Sequence, residues 1–364
     1  MGGVGVHTAT LAAALSARGH RVTRACWGAN APGQPDDGAD LLLPGPLEWE
    51  SERALPALQA SVAAGRALLA RYAARGPDAA ENTVENTAEN TIDVLHCNQF
   101  AWVGAVPGVP SVVVTHSDVV SWWRAVHSTA PPSNAYHRWY SQLVRQALQQ
   151  AAAVVAPTQA ALADLRASFQ WQGAATVIAH GSDSPLAPGS GPRQGAVCAG
   201  RLGDAGKQIH LLLRSGPPLA ITLAGPLPPG VVGASTGLSG VHFAGPLGRP
   251  AMAELLARSC IYVSPSRYEP FGLAPLEAAR AGCCLLLNDL PSFREIWGDA
   301  AYYFDRNDGD DLRDWLQRLA GDDALVAAGA AAAHRRALAL SAARMAGAYE
   351  VLYQEARAEV SLPA

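Results

Sequence analysis

The stretch Ser264-Pro-Ser-Arg-Tyr-Glu-Pro-Phe-Gly-Leu-Ala-Pro-Leu-Glu277 decides the fold of this chain. It follows an apolar run, Ile261–Ser264, that predicts a short buried strand, and it leads into a helical run at 276–281 with a proline at its start. A strand, a glycine-containing loop and a helix in this order point backbone N–H groups at the loop, where a phosphate binds well. The carboxylates of Glu269 and Glu277, eight positions apart, can accept hydrogen bonds from sugar hydroxyls.

This segment resembles the Glu-x7-Glu motif of retaining glycosyltransferases with two Rossmann-like domains, the GT-B fold, and in particular the large family 4. In that family the first Glu contacts the donor sugar and the second binds the nucleotide ribose. The resemblance therefore implies these roles for Glu269 and Glu277, with Phe271, Gly272 and Leu273 in the donor-binding loop. A bare Glu-x7-Glu pair would favour an ordinary loop with a glutamate in the first helical turn. The attached Ser-Arg-Tyr-Glu-Pro-Phe-Gly-Leu favours the family.

The composition predicts a soluble two-domain protein. The chain has 364 residues and 49% hydrophobic content, enough for two well-filled cores. A net charge of -4 gives no general attraction to nucleic acid. Six scattered cysteines without zinc spacing indicate reduced thiols in a cytoplasmic protein. The sequence shows neither a signal peptide nor an apolar run of about 18 residues, which leaves a peripheral contact with the inner membrane face open.

Short β-rich runs alternate with helical stretches along the chain, which predicts α/β domains with parallel sheets. We predict an N-terminal Rossmann-like, acceptor-side domain at 1–183, with a polar low-complexity insertion at 81–91 where Glu-Asn-Thr occurs three times. A Pro/Gly/Ser-rich linker follows at 184–195, and then a nucleotide-sugar-binding Rossmann-like domain at 196–341. By resemblance, 342–364 forms a helix that braces the N-terminal domain.

The start of the chain departs from the family pattern. It reads Met-Gly-Gly-Val-Gly, which in the family follows the first β-strand, so that strand is missing from the sequence. In a doubly wound sheet the first strand is central, and its loss exposes the edges of both neighbours. A start codon assigned too late, a rearranged domain or a compromised domain each explain this, and we favour the first. By resemblance, Gly3 and Gly5 form the loop that faces the donor's distal phosphate.

Two cations follow a glycine at a strand end. Arg201 comes directly after Gly200, and Lys207 lies six residues later at the start of a helical segment. A departing nucleoside diphosphate gains negative charge, which fixed cations stabilise more in the transition state than in the ground state. The arrangement resembles the family's Gly-Arg-Leu…Lys pattern, which implies a phosphate clamp, although Gln208 stands where a glycine is common.

His116 ends a valine-rich strand, and Asp118 and the pair Trp122-Trp123 follow it. Ligands of α/β proteins bind at this carboxyl edge of a parallel sheet. In the family a His at this position contacts the donor sugar, which implies that role for His116 and makes Asp118 a candidate second contact. Trp122 and Trp123 suit stacking on a sugar or lining an acceptor pocket as well as core packing. His180, in place of a common asparagine, is interpreted as hinge structure.

Together these features predict a retaining hexosyltransferase that moves a sugar from a UDP- or GDP-sugar to a glycan, lipid or small-molecule acceptor. No protein nucleophile is evident, so by family analogy the acceptor attacks on the side of the departing phosphate. Neither an Asp-x-Asp in a suitable loop nor ligand-spaced histidines are present, and we expect no metal or other cofactor. Arg294 and Glu295 are predicted to form a structural pair. Arg124, Arg138 and Arg145 hint at an anionic lipid or glycan acceptor.

Two alternatives stay open at this point. One is a non-catalytic nucleotide- or glycan-binding GT-B scaffold that has lost its first strand. The other is a nucleotide-sugar epimerase-like GT-B enzyme, although that class lacks a Glu-x7-Glu with Pro-Phe-Gly. A product formed without any acceptor would identify the epimerase-like enzyme.

Overall fold

The computed structural model describes most of the chain, in six ranges: 3–27, 41–43, 54–75, 92–183, 191–226 and 239–361. The predicted insertion at 81–91 and the linker residues 184–190 lie outside these ranges. Within them the chain forms two α/β domains, and every strand pairing is parallel, as the alternation of apolar runs predicts. No described helix is both long and apolar enough to cross a bilayer.

The N-terminal domain contains short strands and longer helices. Its strands are β1 (Ala25–Trp27), β2 (Leu41–Leu43), β3 (Leu95–Cys97), β4 (Ser111–Val114), β5 (Ala153–Ala156) and β6 (Thr176–Val177). Its helices are α1 (Gly3–Ser16), α2 (Leu55–Arg75), α3 (Val119–His127), α4 (Ala135–Gln150) and α5 (Gln159–Phe169). Polar side chains stabilise the first turns of two of these helices. Asn134 caps α4 and Thr158 caps α5, each by accepting a backbone N–H group.

The strands of this domain form two separate sheets. Strand β1 pairs with β2, whereas β3, β4, β5 and β6 follow one another in a second sheet. Among the described residues, no strand joins the two sheets. In the doubly wound order the first strand lies between the second and the fourth, which corresponds here to the position between β1 and β3.

The C-terminal domain has one six-stranded sheet in the order β12-β11-β10-β7-β8-β9. Its strands are β7 (Ala196–Ala199), β8 (Ile221–Ala224), β9 (Val241–Gly245), β10 (Ile261–Ser264), β11 (Cys284–Asn288) and β12 (Tyr302–Phe304). The helices are α6 (Ile209–Arg214), α7 (Arg249–Arg258), α8 (Leu273–Arg280), α9 (Pro291–Trp297), α10 (Gly309–Gly321), α11 (Asp323–Ala339) and α12 (Ala342–Ser361). Central strands β10 and β11 are buried at every residue, which explains their continuous apolar runs.

Helix α8 begins earlier than the sequence predicts. Its first residue is Leu273 rather than 276, because Gly272 adopts a left-handed conformation with φ of +96° and turns the chain into the helix. A Cβ at Gly272 would lie 2.8 Å from Cε1 of Phe293, so only glycine fits. Pro275 therefore lies inside the first turn and does not start the helix.

The two chain segments that connect the domains lie side by side. The Ser182 N–H donates to the Leu340 carbonyl at 3.0 Å, and the Ala342 N–H donates to the Asp183 carboxylate at 3.0 Å. A Cβ on Gly181 would lie 2.2 Å from the carbonyl oxygen of Ser341. The connection is therefore close-packed backbone, held by its own hydrogen bonds.

Beyond this crossing, α12 lies on the N-terminal domain. Its Met345, Tyr349 and Leu352 pack in one buried cluster with Leu11 of α1 and Val112 of β4. The last helix of the chain thus completes the apolar core of the first domain, on the face of the sheet that α1 also covers.

Candidate active site

Lys207 of the predicted phosphate clamp and Glu269, the predicted sugar contact, meet at the centre of the C-terminal sheet. Strands β7 and β10 are neighbours, so the loops at their carboxyl ends lie together. Lys207, in a 3₁₀ turn that spans Ala205–Lys207, donates from Nζ to Oε2 of Glu269 in a close ion pair. Both side chains are largely shielded, with 22% and 16% exposed. Lys207 is also the only lysine of the sequence.

Arg201 stands beside this pair on the more open side. Its side chain is 66% exposed, and Nη2 donates to Oδ2 of Asp204 at 2.9 Å. The other oxygen of Asp204 accepts the Gly206 N–H at 2.8 Å and the Trp122 indole N–H at 3.0 Å. Asp204 therefore connects the loop that carries Arg201 and Lys207 to the N-terminal domain. Sequence reasoning missed it, although an acidic residue between two proposed phosphate-binding cations is a usable signal.

Glu277 is half-buried and lies in α8, the helix that follows the loop carrying Glu269. Burial raises the pKa of Glu277, and Arg249 opposes this effect. The buried Tyr262 hydroxyl donates to the Ala199 carbonyl at 3.1 Å. Burial first, and then nearby Cys198 and the two glutamates, raise the pKa of Tyr262. This neutral phenol therefore lies within electrostatic reach of both carboxylates.

The two glycines predicted to form a phosphate loop lie in a helix instead. Gly3 and Gly5 both lie in the first turn of α1, which begins at Gly3, so their backbone N–H groups belong to the N-terminal end of that helix, where they have no partner within the helix. A Cβ on Gly3 would lie 3.5 Å from Cδ1 of Leu273, the first residue of α8. The N-termini of α1 and α8 thus meet across the domain boundary, and both present the positive end of a helix.

His116 has both ring nitrogens bound by other side chains. Its Nε2 donates to Oδ1 of Asn98 at 2.7 Å, because an amide oxygen can only accept. In the neutral ring Nδ1 is then an acceptor, so Nε2 of His180 donates to it across 3.1 Å. Nε2 of His96 also donates to Oδ1 of Asn98, at 3.3 Å, and the Tyr353 hydroxyl donates to Nδ1 of His96 at 2.7 Å. This network connects α12 to the hinge.

A fourth histidine, His7 of α1, completes the cluster. Its ring centroid lies 4.3 Å from that of His180 and 4.6 Å from that of His116. Burial is the main cause that lowers the pKa of all four imidazoles, to about 4 for His96. Within the described structure, neither ring nitrogen of His7 has a hydrogen-bond partner. The cluster is therefore neutral at pH 7, and it touches the donor loop through His180, whose ring lies 4.7 Å from Phe271.

The side chains that follow His116 have structural partners. Asp118 caps α3 by accepting the Ser121 N–H at 2.7 Å, and burial raises the pKa of Asp118 to about 6. The Trp123 ring packs against His127 and His137, at centroid distances of 4.2 and 5.5 Å. Of these predicted sugar or acceptor contacts, Asp118 is a helix cap and Trp122, bound to Asp204, bridges the domains.

The predicted pair of Arg294 with Glu295 does not form. Arg294 instead binds Asp289, with Nε donating to Oδ1 at 2.7 Å and Nη2 to Oδ2 at 2.9 Å. Glu295 accepts the backbone N–H groups of Gln159 and Ala160 at 2.7 and 3.0 Å. Adjacent residues of a helix project in different directions, so Glu295 reaches the N-terminus of α5 in the other domain.

The described residues offer no metal site. In this part of the chain, no group of three or more His, Cys, Asp or Glu side chains is arranged to hold a metal ion, the histidine cluster included.

Family models match both halves of the chain. The model for Glycosyltransferase Family 4 matches residues 1–184, and the model for Glycosyl transferases group 1 matches residues 193–322. No curated protein matches the sequence.

Solved structures of glycosyltransferases share the fold over nearly the whole chain. Sucrose-phosphate synthase from Thermosynechococcus elongatus has a TM-score of 0.77 at 18% identity, with 97% of this chain and 93% of that chain covered. HepE from Anabaena, solved with UDP and glucose, has a TM-score of 0.69 at 17% identity, over 97% and 96%. The HepE structure with UDP-glucose gives 0.68 at 16% identity, over 97% and 96%. Similarity at this level of identity shows the fold.

Proposed function

The chain belongs to glycosyltransferase family 4 and has the GT-B fold, and from this premise we propose that it is a retaining hexosyltransferase that uses a UDP-sugar. The observation that carries the proposal is the contact of Lys207 with Glu269, beside Arg201, at the carboxyl ends of two adjacent strands. A cation pair and a carboxylate at one point suit a substrate in which a diphosphate adjoins a sugar.

The donor lies, in this proposal, between the two meeting helix N-termini. Lys207 and Arg201 bind the diphosphate, Glu277 binds the ribose, and Glu269 accepts hydrogen bonds from sugar hydroxyls once a phosphate oxygen replaces it at Lys207. The main chain of 271–273 lies against the phosphates, and His116, held by Asn98 and His180, completes the sugar site. Structures of HepE with UDP and with UDP-glucose support a uridine nucleotide as the donor.

The reaction breaks the bond between the sugar's anomeric carbon and the phosphate oxygen and forms a bond from that carbon to an acceptor oxygen. The acceptor attacks on the face that the phosphate leaves, so the anomeric configuration is kept, and the phosphate oxygen takes the acceptor's proton. Lys207 and Arg201 stabilise the charge that develops on the leaving diphosphate. The protein supplies positioning and fixed charge, and we propose no metal or other cofactor for this step.

Calorimetric titration of UDP, GDP and ADP tests the donor site. We expect wild type to bind UDP selectively and Lys207→Ala to lose this binding. Arg258→Ala is the matched control, because it breaks an exposed ion pair with Glu254 on α7 and should bind UDP like wild type. Because Lys207 is the only lysine, UDP should also protect it from acylation by an amine-reactive ester, with the α-amino group as internal reference. Equal UDP affinity of wild type and Lys207→Ala would contradict the clamp.

A further inference from the structure

A second concave surface lies in the N-terminal domain, on the other side of α3 from the clamp. Its cavity volume is about 1270 Å³, and its walls come from α3, the loop that follows it, α4 and the end of α5. Three arginines line it: Arg124, Arg138 and Arg145. We name this surface the arginine groove.

The groove is positive in a chain whose net charge is negative. His137 lines it together with the three arginines, and none of the lining residues, all within the described range 92–183, is Asp or Glu. One acid near it is Asp164 of α5, which acts on Arg124 and Arg306 without lining the groove. Burial raises the pKa of Asp164, and Arg306 and Arg124 oppose this effect. The surface is therefore complementary to an anion.

Backbone carbonyls hold the arginines in place. Arg124 donates to the Ala167 carbonyl at 3.0 Å and Arg138 to the Ser133 carbonyl at 2.9 Å. Arg145 donates from Nε to the Phe169 carbonyl at 3.5 Å. A guanidinium has five N–H groups in a rigid plane, so one carbonyl bond orients it without using up its donors. Such fixed cations bind phosphate, sulfate or carboxylate oxygens with little loss of side-chain entropy.

The rest of the lining suits sugar hydroxyls. Hydroxyl and amide side chains line the groove between the arginines: Ser128, Thr129, Ser141, Gln142, Gln146 and Gln149. These groups both donate and accept hydrogen bonds, as sugar hydroxyls do. Among the described residues, the exposed large hydrophobic side chains are Leu338 and Val351, which lie on α11 and α12. The groove thus has no large apolar side chain to insert into a bilayer, and its concave shape favours a chain over a flat membrane.

Side chains of α3 connect the groove to the donor site. His137 in the groove wall contacts Trp123, whose ring lies 6.5 Å from that of Trp122. Trp122 binds Asp204, which binds Arg201. One helix, about 10 Å across, therefore separates the groove from the clamp. A saccharide of a few units bound in the groove has the length to reach the reacting centre.

We propose that the arginine groove binds a negatively charged saccharide chain, the extended part of the acceptor whose end enters the donor site. The charges are phosphate, sulfate or carboxylate groups on the sugars. The link to the acceptor rests on the proposed transferase function, whereas the binding itself does not.

Binding of a sulfated heparin-type pentasaccharide, measured by calorimetry on the full chain, tests this proposal, with maltopentaose as the neutral control. We expect binding of the sulfated chain alone, weakened by salt. The double variant Arg138→Gln/Arg145→Gln should bind at least about tenfold more weakly, since each lost charged hydrogen bond costs about that factor. Arg313→Gln, on α10 of the other domain, should bind like wild type. UDP affinity, measured in every variant, should not change.

Several outcomes would overturn the proposal. They are equal binding of both oligosaccharides, unchanged affinity of the double variant, or capture by phosphatidylglycerol vesicles that the double variant loses while the pentasaccharide does not bind. If the double variant also lost UDP binding, the single variants Arg138→Gln and Arg145→Gln would replace it, and an unchanged affinity in both would count against the groove. Pentasaccharide binding by a protein that fails to bind UDP would contradict the donor site and leave the groove supported.

Discussion

Each of the two glutamates of the Glu-x7-Glu motif has its own environment. Glu269 is ion-paired with Lys207, whereas Glu277 is half-buried in α8, and burial raises the pKa of Glu277. In the proposed function, Glu269 shares its cation with the leaving group and should affect the rate of transfer, whereas Glu277 binds the ribose and should affect the affinity for UDP.

We therefore expect Glu269→Gln to lower kcat about 100-fold, the usual cost of one lost electrostatic contact to a transition state, with little change in UDP affinity. Glu277→Gln should weaken UDP binding about tenfold, the cost of one charged hydrogen bond. Steady-state kinetics and calorimetry measure the two effects. Glu254→Gln, in an exposed ion pair with Arg258, is the control and should match wild type. Equal behaviour of both motif variants would show that the roles are not divided.

His7 is a second residue whose environment has a measurable consequence. It is fully buried, and its two ring nitrogens lack hydrogen-bond partners in the described structure. A buried unpaired polar group destabilises the folded state. Replacement by leucine in α1 should therefore raise the free energy of unfolding by about 1 kcal/mol, measured as a higher Tm in scanning calorimetry. A lower Tm would show that a nitrogen of His7 is bound, for example by water.

The buried histidines also set how stability depends on pH. Their folded pKa values lie below the ordinary 6.5, to about 4 for His96. Below pH 6.5 the unfolded chain takes up more protons, so stability present above 6.5 is lost as the pH falls towards 4. Asp118, with its pKa raised to about 6, acts in the opposite direction, as do Asp164 and Glu277, whose pKa values burial also raises, but three carboxyls oppose four imidazoles. We expect Tm to fall between pH 6.5 and 4, and to fall less in His7→Leu. Parallel curves of Tm against pH for wild type and His7→Leu would show that His7 does not contribute to this loss of stability.

At the scale of elements, the 3₁₀ turn Ala205–Lys207 depends on Asp204. One oxygen of this carboxylate holds the Gly206 N–H and the Trp122 indole, and the other holds Arg201. Asp204→Ala removes all three contacts, so Lys207 should lose its fixed position and the transfer rate should fall at least about tenfold. Asp204→Asn keeps one oxygen that can accept the Gly206 and Trp122 N–H groups, although its NH2 group cannot accept from Arg201, and it should restore most of kcat. A rate that fails to recover in Asp204→Asn would assign the effect to charge rather than to position.

The elements that sequence reasoning located well are those with continuous apolar runs. Strands β10 and β11 are buried throughout, so composition alone reveals them. The start of α8 was misplaced because it depends on a positive φ at Gly272, which packing against Phe293 requires. Arg294 was paired with its neighbour in sequence, although helix geometry directs it to Asp289.

Contacts between distant segments were beyond the sequence. By resemblance, the motifs imply one site for Lys207 and Glu269; their side chains form an ion pair, and the roles implied for them stay predictions. The histidine cluster joins positions 7, 96, 116 and 180, which only the fold brings within 7 Å. His180 was interpreted as hinge structure, and it lies at the hinge while also binding His116. No local pattern contains such a cluster, because its members lie on four separate segments.

At the scale of the whole molecule, side chains of each domain bind the other domain at several points outside the hinge. Trp122 of α3 donates to Asp204 of the clamp loop, and Arg267 donates to the Val126 carbonyl at the end of α3. Glu295 of α9 accepts two backbone N–H groups at the start of α5. These contacts are polar, as is the donation from the Thr158 hydroxyl to the Pro270 carbonyl at 2.8 Å, while the ring of His180 packs against Phe271 next to the hinge. A cleft held in this way opens when a small number of bonds is removed.

The combined variant Trp122→Phe/Glu295→Gln should therefore open the cleft without unfolding either domain. Phenylalanine keeps the aromatic packing and loses the indole N–H, and glutamine keeps the shape and loses the charge at the α5 terminus. We expect small-angle X-ray scattering to give a larger radius of gyration than wild type, and saturating UDP to reduce the difference. Trp315→Phe, on α10 away from the cleft, is the control. Scattering identical to wild type would mean that the hinge itself, rather than these polar contacts, fixes the closed arrangement.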